Sequence, residues 1–284
     1  MIKRRTALGM LATAAAAPAI LGVRRAHAEM LDLDPSEPAD TLLMYRKLAH
    51  TLDDRIVYWW AHLERYGLID AALVPFWKVH VAALLTARNV DETGAYETNA
   101  ISLVSYTDLE TGAFMETFLN PVTREEVEIS YFPATPTKVL VTQEGPQGPQ
   151  VPQDRPGFTV TSSHPLTASI HGTDVWVKSD DIIRVEPETP EAGTLFQASD
   201  LNTYHGLLDD VANSDIASAP ATWDFNDVLS WPAWLKMGDQ PGYYVSRGFG
   251  RKVESFDAMP EDTLELVKQR FPEIYEDPEG ALGA

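Results

Sequence analysis

Residues 98–131, TNAISLVSYTDLETGAFMETFLNPVTREEVEISY, decide the fold class. Thr98 to Tyr106 reads as a strand, Asp108-Leu109-Glu110-Thr111-Gly112 as a turn, and Ala113 to Leu119 as the returning strand. Asn120-Pro121-Val122-Thr123 supplies a second turn before Glu126 to Tyr131. Strands joined by connections this short are antiparallel neighbours, because parallel pairing needs a long crossover.

The same pattern extends in both directions. Upstream, Ile56-Val57-Tyr58-Trp59-Trp60 is aromatic and β-branched, and Phe76 to Leu85 is a second apolar run. Downstream, strands are predicted at Phe158–Ser163, Ala168–Lys178, Ile182–Val185, Leu195–Leu207, Thr222–Leu229 and Tyr243–Glu254. Helices are predicted at the two ends. Leu42, Tyr45, Leu48 and Leu52 recur at helical spacing after Asp40, and Pro260 opens a segment striped by Leu264, Val267 and Phe271 that Pro272 ends. Many short strands between two helices predict a mainly β protein. The expected architecture is an antiparallel β-barrel of lipocalin or calycin type. Gln143 to Gly157, QEGPQGPQVPQDRPG, interrupts the series and reads as a long unpaired loop, either a hairpin tip or a flap over a pocket.

The N-terminus reads as an address. Arg4-Arg5 followed by Leu8 and a weakly apolar stretch is the pattern of a twin-arginine signal peptide, and Ala26-His27-Ala28 supplies a cleavage site. Met10 to Val23 is too short for a membrane span, which needs about 20 apolar residues. The expected organisation is therefore a leader at 1–28 and a single barrel-type domain at 29–284. Export machinery is a transient partner, the destination is the periplasm or beyond, and no stable membrane insertion is expected. Loss of the leader's five basic residues takes the formal charge from −20 to −25. Such acidity repels phosphate backbones and excludes nucleic acid as a partner. The chain has no cysteine, which removes thiolate nucleophiles, iron–sulfur clusters and cysteine-held zinc.

The familiar catalytic motifs are absent, including G-x-S-x-G, S-x-x-K and H-E-x-x-H. Gly248-Phe249-Gly250 lacks a third glycine and reads as a strand bend or bulge. Six histidines follow the leader and none lies within four residues of another, so any metal site would have to be assembled from separate strands. No metal and no organic cofactor is expected. The acidic doublets Asp53-Asp54, Asp180-Asp181 and Asp209-Asp210 read as solvated turns.

Alternation along strands narrows the candidates. Phe76, Lys78, His80 and Ala82 share a face that is either a cavity wall or a solvated surface, opposite an apolar face of Trp77, Val79, Val81 and Ala83. Tyr58, Trp60 and His62 share another. Phe114, Glu116 and Phe118 share a third, which makes Glu116 either a buried acid with a raised pKa or a rim partner for a basic residue. The candidate acid–base groups are His80, Glu116, His171 and His205. The candidate ligand contacts are Tyr58, Trp60, Lys78, Tyr106, Trp176, Tyr204, Trp234 and Arg251.

Several strings recur in one order: Tyr58-Trp59-Trp60, Tyr106 to Gly112, Asn120 to Thr123, Thr203-Tyr204-His205, Trp231-Pro232-Ala233-Trp234-Leu235-Lys236-Met237-Gly238, and Gly250-Arg251-Lys252. On these residues the chain resembles the domain-of-unknown-function family 1838. The resemblance implies one family domain over nearly all of the mature chain and supplies no reaction.

Two functions follow from the residues. One is a protein that binds a small apolar or aromatic molecule in a barrel cavity of about 300 Å³ or more. The other is an isomerase, lyase or hydrolase that works by His and Glu proton transfer in the same cavity, without an organic cofactor. A barrel filled solid with side chains would favour a third, purely structural role.

Overall fold

The computed structural model describes residues 29–147, 157–189 and 195–283. The expected leader and residues 148–156 of the expected loop lie outside these ranges. In chain order the elements are α1 (Pro38–Ala49), β1 (Val57–Ile69), β2 (Ala72–Asn89), β3 (Tyr96–Thr107), β4 (Thr117–Leu119), β5 (Glu126–Glu128), β6 (Thr137–Thr142) and β7 (Gly145–Gln147). There follow β8 (Phe158–Ser163), β9 (Leu166–His171), β10 (Asp174–Pro187), β11 (Phe196–Leu207), α2 (Leu208–Ala212), β12 (Thr222–Leu229) and β13 (Tyr243–Val253). The chain closes with α3 (Glu261–Arg270), α4 (Pro272–Glu276) and α5 (Pro278–Leu282).

The protein is mainly β. One antiparallel sheet runs in the order β7-β6-β3-β2-β1-β13-β12-β11-β10-β8, with β9 also paired to β10, and it curls into a barrel-like half-cylinder. Its two ends come together without a ladder: a Cβ on Gly145 at the start of β7 would overlap the His164 carbonyl oxygen between β8 and β9. β4 and β5 form a separate two-stranded ladder.

Several expected boundaries move, each for a physical reason. The two upstream strands are the ends of one long hairpin, turned by Asp70 and Ala71 at φ 50 and 62. A left-handed alanine costs about 1–2 kcal/mol, so nothing in the sequence announces this turn. Gly145–Gln147 pairs with β6 despite its proline, because it lies at a sheet edge where a missing N–H costs little. Gly172, at φ 64, splits the expected Ala168–Lys178 strand into β9 and β10. α3 ends at Arg270, short of Pro272 as expected, and Pro272 then opens α4, in the first-turn position that proline tolerates. α1 likewise begins earlier than expected, at Pro38, and Asp40 caps nothing there but accepts the Asp34 N–H at 2.9 Å.

The half-cylinder is plugged from both ends. α1 inserts Leu42, Tyr45, Leu48 and Ala49 against Trp59, Tyr96, Val175 and Val177. At the other end Phe118, Val127 and Ile129 join Leu235 and Met237 around Trp77, Tyr106 and Tyr244. Each large apolar side chain buried this way contributes roughly 1.5–3 kcal/mol. The outer face of β1–β3 is covered by the C-terminal segment, where Phe256, Met259, Val267 and Leu282 pack on Ala82, Leu84, Ile101 and Leu103. Gly248 and Gly250 are neither bend nor bulge. They sit in unbroken register between β1 and β12, and a Cβ on either would collide with β1: with the His62 carbonyl oxygen and Leu63 at Gly248, and with the Trp60 carbonyl oxygen and Ala61 at Gly250.

Candidate functional site

The inward face of the sheet carries a polar row between its two apolar plugs. Asp181 on β10 pairs in register with Asp200 on β11, Asp200 with Asp227 on β12, Asp227 with Ser246 on β13, and Ser246 with Arg65 on β1. Strand alternation dictates that all five face the lumen together once the register is set. Asp180-Asp181 is therefore not a solvated turn: it lies within β10, with Asp181 pointing inward beside buried Ser179 and Ile183.

The outer members of the row are matched. Arg65 Nη1 donates to Asp227 Oδ2 at 2.5 Å, and the Ser246 N–H donates to Asp227 Oδ1 at 2.5 Å. His164 Nδ1 meets Asp181 Oδ1 at 2.7 Å. The Asp200 carboxyl makes no hydrogen bond or ion pair among the described residues. Burial first, then the charges of Asp227 and Asp181, push its carboxyl up from 3.8 to about 7.

Asp200 borders a cavity of about 270 Å³ whose wall also includes Asp181, Asn202, Tyr204, Ser179 and Phe225 from the sheet, Tyr45 from α1 and His50 just after it. Tyr45 is pushed up to about 12 by burial, and burial takes His50 down to about 3, so near neutral pH both are uncharged hydrogen-bonding groups. His50 Nδ1 lies 2.9 Å from the Tyr96 hydroxyl, which positions the ring. Further along the row, Arg65 Nε, Trp77 Nε1 and Ser246 Oγ are buried without partners on three adjacent strands. Buried donors of this kind ordinarily have a partner.

The structure distributes the expected site residues over several places. Tyr204 lines the lumen, while Tyr106 and Trp234 belong to the plug around Trp77. Tyr58, Trp60, Lys78, His80 and Arg251 all lie on the outer face of the sheet, toward the C-terminal segment. Tyr58 packs on Phe256, Trp60 and Arg251 border a groove of about 870 Å³, and Lys78 and His80 border another of about 560 Å³. The mixed face of β2 is thus not a lumen wall: α3 lies over its His80, while Lys78 stays exposed in the groove. A register shift opposite Arg65 and Tyr66 also turns Phe76 inward to join Trp77 in the plug.

Glu116 is exposed, and its expected strand shrinks to a single bridge at Phe114 and the short β4. Phe114 and Tyr131 instead hold the Arg270 guanidinium, at 4.1 and 4.4 Å from their ring centres, and Glu116 acts on that cation from outside. No ion pair joins Glu116 to Arg270 among the described residues, so a longer-range attraction is all that links them. His171 is exposed at the β9–β10 turn. His205 is on the outer face, bonded to Asp174 at 2.8 Å and stacked on Trp176 at 4.1 Å, with Trp176 39% exposed.

Histidines that are distant in sequence do meet. His62 and His80 are register partners on β1 and β2, with ring centres 4.7 Å apart, and Asp262 from α3 completes a set of three metal-donor groups. Sequence reading placed His62 and His80 on the right faces of their strands but lacked the pairing that joins them. It missed Asp200, Asp227 and Arg65 altogether, because no local spacing links residues on three separate strands.

Among the described residues no helix is long and apolar enough to cross a membrane. A family model described as Protein of unknown function (DUF1838) matches residues 78–283. No curated protein matches the chain.

Proposed function

The chain belongs to the DUF1838 family of proteins of unknown function, and from the site's geometry we propose that it binds a small, partly aromatic molecule bearing a hydrogen-bond donor or a cation in the lumen. The observation that carries this is Asp200, a carboxyl on the cavity wall that lacks a partner while its neighbours Asp181 and Asp227 each have one. A donor on the ligand would meet that carboxyl, and Tyr204 and Phe225 would flank an apolar or aromatic body. At about 270 Å³ the cavity is a little below the usual range for ligand pockets, because α1 fills one end, so the ligand is small. Binding would take place outside the cytoplasm, after twin-arginine export.

Native mass spectrometry of the protein purified from its own compartment tests the reading. A retained small mass that disappears in Asp200→Asn supports it. Retention of the same mass by that variant, or no retained mass in the parent, counts against it.

A second reading has its own support. A carboxyl that titrates at about 7 beside a cavity suits general acid–base work near neutral pH. Chemical change of the retained molecule on incubation with the parent, but not with Asp200→Asn, would favour an isomerase, lyase or hydrolase over a carrier.

A further inference from the structure

A second cluster lies outside the lumen, beneath the start of α3. β1 and β2 present His62 and His80 side by side on the outer face, and α3 sets Asp262 and Thr263 over them. We propose that His62 Nε2, His80 Nδ1 and the Asp262 carboxylate bind a divalent first-row metal ion, with zinc as the representative case.

The spacing suits a metal. Asp262 Oδ1 lies 3.5 Å from His62 Nε2, Asp262 Oδ2 lies 3.7 Å from His80 Nδ1, and the three donor atoms fall within 4.8 Å of one another. Zinc bonds of about 2.0–2.2 Å put neighbouring ligands of a tetrahedron roughly 3.3–3.6 Å apart. Small side-chain rotations close the difference. Two imidazoles and a carboxylate are donors that zinc, iron(II) and manganese all accept.

The surroundings also suit one. His80 Nε2 lies 3.2 Å from Thr107 Oγ1, and a proton carried there leaves Nδ1 as a lone pair aimed at Asp262. Such an outer contact fixes the tautomer of a metal-binding histidine. Without metal, the Thr263 hydroxyl bridges the two rings, at 2.8 Å from His62 Nε2 and 3.3 Å from His80 Nδ1. One hydroxyl proton satisfies only one ring lone pair, so His62 must donate from Nε2. Moving that proton to Nδ1 presents both lone pairs to an ion. Access is open: the Asp262 side chain is 58% exposed, and the groove of about 560 Å³ reaches all three groups. Three protein ligands leave at least one position for water or a bound molecule. The ion would also tie α3 to β1 and β2.

Titration of the full chain, stripped of metal by a chelator, with zinc(II) in a calorimeter tests the proposal, alongside thermal unfolding with and without zinc. The expected result is one ion per chain and a raised midpoint. His62→Ala and Asp262→Asn should each weaken binding about tenfold or more, and Thr107→Val should weaken it less. Asp262→Asn keeps an oxygen for the Thr263 N–H, which donates to Asp262 Oδ1 at 2.8 Å, so it carries the test if His62→Ala does not fold. Absence of binding by the folded parent, or affinity unchanged in the variants, overturns the proposal. So does loss of zinc binding in Asp200→Asn, which would place the ion in the lumen. Zinc binding that survives Asp200→Asn leaves this site standing whatever becomes of the lumen reading.

Discussion

Asp200 and Asp227 face each other across the β11–β12 ladder, yet Asp227 has the Arg65 guanidinium at 2.5 Å while Asp200 has no ion-pair partner among the described residues. The consequence is pH-dependent. The Asp200 carboxyl titrates at 3.8 in an unperturbed chain and at about 7 in the fold. Between those values the folded protein holds a proton that the unfolded chain has released, so stability falls as pH rises through the window. The span corresponds to roughly 4 kcal/mol as a ceiling. Asp200→Asn is expected to be more stable than the parent above about pH 7 and equal to it near about pH 4, as read from urea midpoints. Equal midpoints at alkaline pH would mean that water reaches the ionised carboxylate.

The Arg65–Asp227 pair is buried, so removing one partner strands the other. Arg65→Met is expected to cost about 3–5 kcal/mol in urea unfolding, while the double variant Arg65→Met, Asp227→Asn recovers much of that loss. Additive losses would show that the Arg65 guanidinium's contact with the Tyr244 ring, 4.6 Å from its carbon to the ring centre, matters more than its pairing with Asp227.

Lys252 anchors the plug. Its ammonium donates to the Lys47, His50 and Ala219 carbonyls at 2.8, 3.1 and 3.0 Å and lies 3.0 Å from Ser218 Oγ, gathering the end of α1 onto β13. A cation at a helix C-terminus is also favoured by the helix dipole. Lys252→Met orphans those carbonyls at about 1–3 kcal/mol each before relaxation, so a fall of several kcal/mol is expected. Lys252→Arg should not rescue it, because a planar fork cannot reach acceptors arranged around a point. Full rescue by arginine would assign the role to charge alone.

Much of the fold was legible because its signals are local. The turn at Asp108–Gly112 and the apolar stripe of α3 lie in single short segments, and both stand where the sequence puts them. The candidate sites are not local. Asp181, Asp200, Asp227 and Arg65 become neighbours only through the register of four ladders, and Asp262 lies two hundred residues from His62. Alternation placed Lys78 and His80 on one face of β2, but the covering helix decided what that face is for. Asp180-Asp181 misled because an acidic doublet is ordinarily solvated, and only the curl of the sheet makes one of the pair an inward-facing group.

If Arg4 and Arg5 direct the proposed twin-arginine export, replacing both, Arg4→Lys with Arg5→Lys, should leave full-length precursor in the cytoplasm, detected by cell fractionation and immunoblotting. Normal export of the double variant would point to the general secretory route instead.

Gly250 tests the packing that holds the lumen open. It faces inward on β13 between Ala61 of β1 and Trp223 of β12. A Cβ there would collide with the Trp60 carbonyl oxygen and fall 2.9 Å from the Ala61 Cβ. Neither neighbour can swing away, since one is backbone within a ladder and the other a methyl group fixed to it. Gly250→Ala must therefore push β13 from β1, and with it the register partner Trp223, whose indole N–H donates to Asn202 Oδ1 at 2.8 Å on the lumen wall. The expected cost is about 1–3 kcal/mol in urea unfolding. A change in the near-ultraviolet circular dichroism of the tryptophans should accompany it. A loss under about 0.5 kcal/mol with an unchanged spectrum would mean that the strands slide apart freely, and that the lumen wall is less fixed than its register implies.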